Sequence, residues 1–239
     1  MSALTRRTFI GTAVSAGALV LIPQQSFAAR KYRITDNDVL IVVDVQNCFT
    51  KGGSLAVPKG DEVVPVINWI ARSFANVVMT QDWHTAKHVS FASQHAGKKP
   101  FDSVKLAYGN QVLWPDHCVQ GTDGAALHKD LSIPHAQMVI RKGYHNDVDS
   151  YSAFLEADRK TQTGLTGYLK TRGIDRVFVV GLATDFCVAW TAMDARTAGF
   201  NAVVLEDACR GIDANGSMKA AWEGMTKVGV ERATSADIA

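Results

Sequence analysis

The stretch RVFVVGLATDFCVAWTAMDARTAGFNAVVLED, residues 176–207, decides the fold class. It opens with a short β-branched apolar run, RVFVVG (176–181), and closes with another, NAVVLED (201–207). Runs of this kind read as strands buried on both faces, as in a parallel sheet. Between them the pattern turns helix-like from Thr184 to Ala198, and Gly199 suits a helix C-cap. Working outward, further strand-like runs are VLIVVDV (39–45), NVVMTQD (76–82) and AQMVIRKG (136–143), with a last one in GVERAT (229–234). Helical patterns separate several of them. Asp61–Phe74 spaces Val63, Val64, Ile67, Ile70 and Phe74 along one face, Thr161–Arg172 stops at Gly173, and Ser217–Lys227 stops before Gly229. Strands alternating with helices predict an α/β fold, a doubly wound, mostly parallel sheet with helices on both faces. Two segments break the alternation. Residues 83–135, rich in His and Gly, read as a long irregular insertion of the kind that carries function, and residues 144–160 as a shorter one.

The chain has 239 residues, 47% hydrophobic and 20% charged, as expected of a globular protein with a substantial core. Its formal charge of +2 comes from Arg6 and Arg7, the only charged residues before Arg30. Without them the chain is neutral, which gives no electrostatic reason to expect nucleic acid or an anionic membrane as partner. The N-terminus reads as a targeting signal: the arginine pair, a mild apolar stretch from Phe9 to Ile22, then Pro23 and a small-residue site ending at Ala28. That apolar stretch is shorter than the ~20 residues of a spanning helix, so no membrane anchor is expected. TRRTFIG resembles the twin-arginine export signal of bacteria. The resemblance implies folding in the cytoplasm, passage through the twin-arginine export machinery and residence in the periplasm. Residues 1–28 are then the signal and 29–239 a single domain.

In an open parallel sheet, sites gather at the carboxyl ends of strands. Those ends hold Asp44, Asp82 with His84, Lys142, and the segment leading to Cys187. A thiol in the first turn of a helix lies among unpaired backbone N–H groups and the positive end of the dipole, which favour a thiolate and can hold an oxyanion. Taken alone, Cys187 reads first as an inert buried cysteine, while Asp44 reads equally as a loop cap and Lys142 as a surface charge. Together they offer a nucleophile, a base and a stabilising cation. Asp82 and His84 alternate along an extended segment, and with the distant His117 they make a carboxylate and two imidazoles, a set suited to a divalent metal with open positions. Cys118 reads as packing before it reads as a ligand. His88, His95, His128, His135 and His145 read as surface residues or as supports of the site. The four cysteines, Cys48, Cys118, Cys187 and Cys209, include no CxxC pair, and a chain of this size needs no disulfide staples, so the redox state of Cys48, Cys118 and Cys209 stays open. Walker, GxGxxG and GxSxG signatures are absent, which removes phosphate cradles, dinucleotide binding and the serine elbow.

VDVQNCF, TQDWHTAKHVSFAS, WPDHCVQGT, IRKG, GLATDFCV and VLEDACRG, in this order and spacing, resemble the nicotinamidase/pyrazinamidase branch of the isochorismatase-like cysteine hydrolases across residues 36–235. The resemblance implies the fold named above and a set of roles. Asp44, Lys142 and Cys187 would be the catalytic triad, and Asp82, His84 and His117 the ligands of one divalent ion, with zinc favoured over iron or manganese. Ser93 falls where some members place a further ligand or a water-holding group. Phe49, Trp114 and Tyr151 would enclose a flat pyridine ring. A cis peptide between Leu182 and Ala183 is implied too, with the N–H groups of Ala183 and Cys187 as the oxyanion hole. The implied reaction converts nicotinamide to nicotinate and ammonia, and pyrazinamide by the same route. Another amidase of the superfamily, acting on a carbamoyl or ureido compound, is the alternative, and a periplasmic metal- or thiol-binding protein without catalysis is a reading of a different class. The partner expected is a small-molecule amide, and the sequence leaves open whether the chain forms a homo-oligomer. The chain departs from the family at Cys48, where members usually carry an acidic or amide residue, and in its export signal.

Overall fold

A computed structural model describes residues 32–239, so the signal read at 1–28 lies outside the described residues. Strands β1 (Asp38–Val43), β2 (Asn76–Asp82), β5 (Met138–Lys142), β6 (Arg176–Leu182), β7 (Asn201–Arg210) and β8 (Glu231–Ala233) form one six-stranded sheet, ordered β5-β2-β1-β6-β7-β8. Every neighbouring pair is parallel. All six residues of β1 are buried, so both faces of the sheet centre are covered. That accounts for the continuous apolar runs in the sequence, since no side of the strand meets water.

The helices are α1 (Val63–Ile70), α2 (Leu165–Thr171), α3 (Ala189–Thr197) and α4 (Ser217–Lys227). From β1 the chain crosses leftward through α1 to β2, and from β6 it crosses rightward through α3 to β7. Right-handed crossovers in opposite directions put α1 and α3 on opposite faces. The direction of winding reverses between β1 and β6, and a crevice opens there at the carboxyl edge. Pro65 sits in the first turn of α1, where its missing N–H costs nothing. Gly173, Gly199 and Gly229 all have positive φ just past helix ends, as the caps read in the sequence require.

The structure corrects three boundaries. The helix expected from Thr184 to Ala198 begins with a single π-helical turn, Thr184–Val188, before α3. The segment expected to be irregular, 83–135, carries an antiparallel hairpin, β3 (Ser103–Leu106) and β4 (Gly109–Val112). The strand read at 201–207 runs on to Arg210. Among the described residues no helix is long and apolar enough to cross a membrane.

Candidate active site

Four parallel strands deliver the site at one edge. Asp44 directly follows β1, Asp82 ends β2, Lys142 ends β5, and Cys187 lies in the turn after β6. The register pairs Asp82 with Lys142 and Val43 with Gly181, so these ends are level. Gly181 has φ +114, and a Cβ there would collide with the Val43 backbone; only glycine lets β6 lie this close to β1. The Leu182–Ala183 peptide is cis.

Lys142 is the hub, with no exposed surface. Its Nζ lies 2.7 Å from Asp44 Oδ2 and 3.3 Å from Cys187 Sγ, donates to the Ser150 carbonyl at 3.1 Å, and also bonds Asp82 Oδ1. Burial works against its charge, but Asp44, Asp82 and Cys187 outweigh that and hold it well above the ordinary lysine range. Burial pushes the Asp44 carboxyl up, with Lys142 opposing, and the net direction is upward. Asp44 has φ +48, an uncommon conformation for a non-glycine residue. Thr80 steadies it: the Thr80 hydroxyl donates to Asp44 Oδ1 and accepts the Asp44 N–H at 3.1 Å. Burial also pushes the Cys187 thiol well above its usual value, opposed by Lys142 and reinforced by Asp44 and Asp82. This reverses the thiolate expected from the helix start. A first-turn position counts for less than removal from water beside two carboxylates.

The second cluster comprises Asp82, His84 and His117, all buried, with one ligand atom from each within 4.8 Å of the others. His84 Nε2 and His117 Nε2 lie 3.6 and 3.7 Å from Asp82 Oδ2. Those separations are long for hydrogen bonds and close to the roughly 3.4 Å between tetrahedral ligands with bonds of about 2.1 Å. Each imidazole bonds a backbone carbonyl through Nδ1, His84 to Gly143 O and His117 to Pro115 O, both at 2.8 Å. Both Nε2 lone pairs are thereby left for a cation. On these observations the residues fit a divalent metal.

A cavity joins the two clusters. Phe49, Trp114 and Tyr151 line it together with Ala183 and Cys187. The Trp114 indole N–H donates to the Tyr151 hydroxyl at 3.1 Å, and Phe49 packs edge-on to His117 at 5.5 Å. Ser93 is not part of the lining. It is exposed and donates to Asp116 at 2.7 Å. Cys118 is neither a ligand nor simple packing. It forms a disulfide with Cys48 across a Cα–Cα distance of 5.7 Å, while Cys209 stays a free, buried thiol.

Several contributors escaped sequence reasoning. Phe186 stands edge-on to Trp114 at 4.8 Å, and Leu55, Asp149 and Ile212 also line the cavity. Gln46, three residues past β1, holds Asp82, accepting the Asp82 N–H at 2.8 Å and donating to its carbonyl at 2.9 Å. Phe186 and Gln46 sit inside quoted motifs, GLATDFCV and VDVQNCF, and that adjacency is the signal that could have found them. His88, grouped in the sequence reading with surface and supporting residues, is fully buried and stacks on His84 at 4.2 Å. Its nitrogens bond Ser90 Oγ at 2.7 Å and the Val148 carbonyl at 3.1 Å, and burial lowers its pKa to about 4.

Residues 38–237 match the isochorismatase domain. A nicotinamidase of Acinetobacter baylyi is 60% identical over 203 residues, covering 85% of this chain and 95% of that protein. Among solved structures, a nicotinamidase pyrazinamidase of Acinetobacter baumanii superposes with a TM-score of 0.84 at 60% identity, covering 85% of this chain and 98% of that one. A pyrazinamidase of Pyrococcus horikoshii in complex with zinc superposes at 0.69 with 34% identity, covering 83% and 99%. With its sheet order, its strand-end residues and nearly the whole described region matched, the chain belongs to the isochorismatase domain family.

Proposed function

We propose that this chain is a cysteine amidohydrolase that converts nicotinamide to nicotinate and ammonia and accepts pyrazinamide as a second substrate. The observation that carries this reading is a cavity that joins a Cys187–Lys142–Asp44 contact to a three-ligand cluster through aromatic walls. Such a cavity suits a flat heteroaromatic ring with an amide at one end and a ring nitrogen at the other. The 60% identity to a nicotinamidase supports the same substrate.

Asp44 acts as the base. It takes the Cys187 proton as Sγ attacks the amide carbon, and the N–H groups of Ala183 and Cys187 hold the resulting oxyanion. The C–N bond then breaks with the proton on Asp44 passing to the leaving nitrogen, releasing ammonia and leaving a thioester on Cys187. Water, deprotonated by Asp44, cleaves the thioester and frees nicotinate. Throughout, Lys142 keeps Asp44 and Sγ in contact and offsets their negative charge. Phe49, Trp114 and Tyr151 sandwich the ring and exclude water. A divalent ion, zinc by analogy with the Pyrococcus horikoshii structure, would be held by Asp82, His84 and His117 and would anchor the ring nitrogen as a Lewis acid. The arginine pair at Arg6 and Arg7 supports export of the folded enzyme through the twin-arginine machinery to the periplasm.

The test is ammonia release from nicotinamide by residues 29–239, with Cys187→Ala as control. Release by the wild type alone is the expected result. Equal rates from both would overturn the covalent scheme.

A further inference from the structure

One buried acid in the cavity has no part in the steps above. Asp149 lines the same space as Asp82, His84 and His117 and is only 2% exposed. One of its carboxylate oxygens lies within 4.8 Å of imidazole nitrogens of both His84 and His88. Its protein partners are few and neutral. The Ser150 N–H donates to Oδ1 at 2.8 Å, and Gln111 Nε2 donates to Oδ2 at 2.8 Å. Both oxygens therefore act as acceptors, and each keeps a lone pair to offer.

Among the described residues no lysine or arginine pairs with this carboxylate, and the imidazoles of His84 and His88 are the titratable groups that face it. Lys142 turns its ammonium toward Asp44, Asp82, Cys187 and the Ser150 carbonyl. His88 has both nitrogens committed, to Ser90 and to Val148. Asp44, Asp82 and Asp149 are all buried near the site, and the Lys142 ammonium pairs with only the first two. Buried charges in proteins are paired or face metal ions. Gln111 is itself fixed by the Tyr108 hydroxyl, which donates to its Oε1 at 2.9 Å, so the carboxylate is held in place and not free to swing to solvent.

We infer that Asp149 is an outer anion of the metal centre, a positioning residue that accepts a hydrogen bond from a water on the ion and supplies negative charge beside it. The inference rests on the reading of Asp82, His84 and His117 as the ion's ligands. A water bonded to an ion at about 2.1 Å and donating over about 2.7 Å reaches a carboxylate roughly 4–5 Å away. The water so held is oriented with its oxygen on the ion and a proton toward Asp149. Tyr151 shares Gln111 with Asp149, its hydroxyl lying 3.0 Å from Gln111 Nε2, so the aromatic wall and the ion's outer anion are set by one side chain.

The experiment is calorimetric titration of zinc into metal-stripped wild type, Asp149→Asn, Asp149→Glu and His84→Ala, each first shown to be folded by its thermal melt. Asp149→Asn should weaken zinc about 10–100-fold, the effect typical of a residue behind the direct ligands. Asp149→Glu should recover most of that affinity, because charge and not shape is what Asp149 supplies. A merely structural Asp149 would lower the melt and leave zinc affinity of the folded protein unchanged, and that result would overturn the inference. So would unchanged affinity accompanied by a raised KM, which would make Asp149 a substrate contact. If wild type binds zinc and His84→Ala does not, the ligand reading stands whatever Asp149 does. Failure of the wild type to bind zinc would overturn both.

Discussion

Lys142 carries its charge with no exposed surface, and its partners decide the resting state of Cys187. Removal from water raises the thiol, Lys142 pulls it down, and the neighbouring carboxylates push it further up. A raised thiol holds less thiolate at pH 7 than a free cysteine. Alkylation of Cys187 by iodoacetamide in the metal-stripped enzyme should therefore be slower than that of a free thiol, and its rate should keep climbing above pH 9. A fast rate, flat from pH 6 to 9, would mean a standing thiolate and would make Asp44 unnecessary as the first base. Lys142→Met tests the other side of the contact. It leaves Asp44 and Asp82 buried without their shared cation, which costs about 3–5 kcal/mol when one partner of a buried pair is removed. The expected outcome is a clear loss of thermal stability together with collapse of turnover. Retained activity at wild-type stability would show that the charge on Lys142 is dispensable.

Strand ends, turns and short loops place these residues, and one glycine shows how narrowly. Gly143 follows β5 with φ +64, and a Cβ there would come within 2.5 Å of the His84 ring while its own carbonyl orients that ring. Gly143→Ala should push His84 aside and reduce zinc affinity about tenfold or more, read by metal content after dialysis against a weak chelator. The Cys48–Cys118 disulfide acts beside the same histidine, whose backbone N–H donates to the Cys118 carbonyl at 3.1 Å. It joins the turn carrying Phe49 to the loop carrying His117 across 70 residues. In the chain-entropy view a closed loop of that size is worth about 4 kcal/mol, so Cys48→Ser should lower stability by that order in a denaturant titration. An unchanged midpoint would mean that the bond does not form in solution. The strand ends were legible because a parallel strand buried on both faces leaves a continuous apolar run that stops where the strand gives way to the site, and Asp44 and Asp82 each close such a run. Lys142 closes the half-exposed edge strand β5, whose apolar run is shorter. The β3–β4 hairpin was not legible, because Ser103–Leu106 and Gly109–Val112 are short and largely unburied, so no apolar alternation marks them. Nor was the disulfide, since pairing across a long separation is a tertiary fact that spacing does not encode. The burial of His88 and Asp149 depends on the insertion 83–135 and the segment 144–160 folding against each other, which leaves no local period to read.

At the scale of the molecule, the reversal of winding between β1 and β6 makes the crevice, and two excursions from the β-α alternation roof it. Everything the proposed chemistry needs lies within residues 38–237, so on the proposed export reading the twin-arginine stretch would add an address and no catalytic group. An export route that carries folded protein suits an enzyme whose metal ligands come from both β2 and a distant loop, because the ion can be loaded before transport. Export would also move Cys48 and Cys118 from a reducing compartment to an oxidising one, where a disulfide persists. The two consequences can be read together in a bacterial host with a twin-arginine pathway. The full chain should appear in the periplasmic fraction, shortened at its N-terminus, with a linked peptide containing Cys48 and Cys118 on non-reducing mass spectrometry. The Arg6→Lys/Arg7→Lys variant should stay in the cytoplasm at full length, with both thiols free to alkylation after unfolding and with nicotinamide hydrolysis intact in the lysate. If the two chains were found in the same compartment, the arginine pair would have no role in targeting and the export reading would fall, while the amidase assignment, which rests on the strand-end residues, would be untouched.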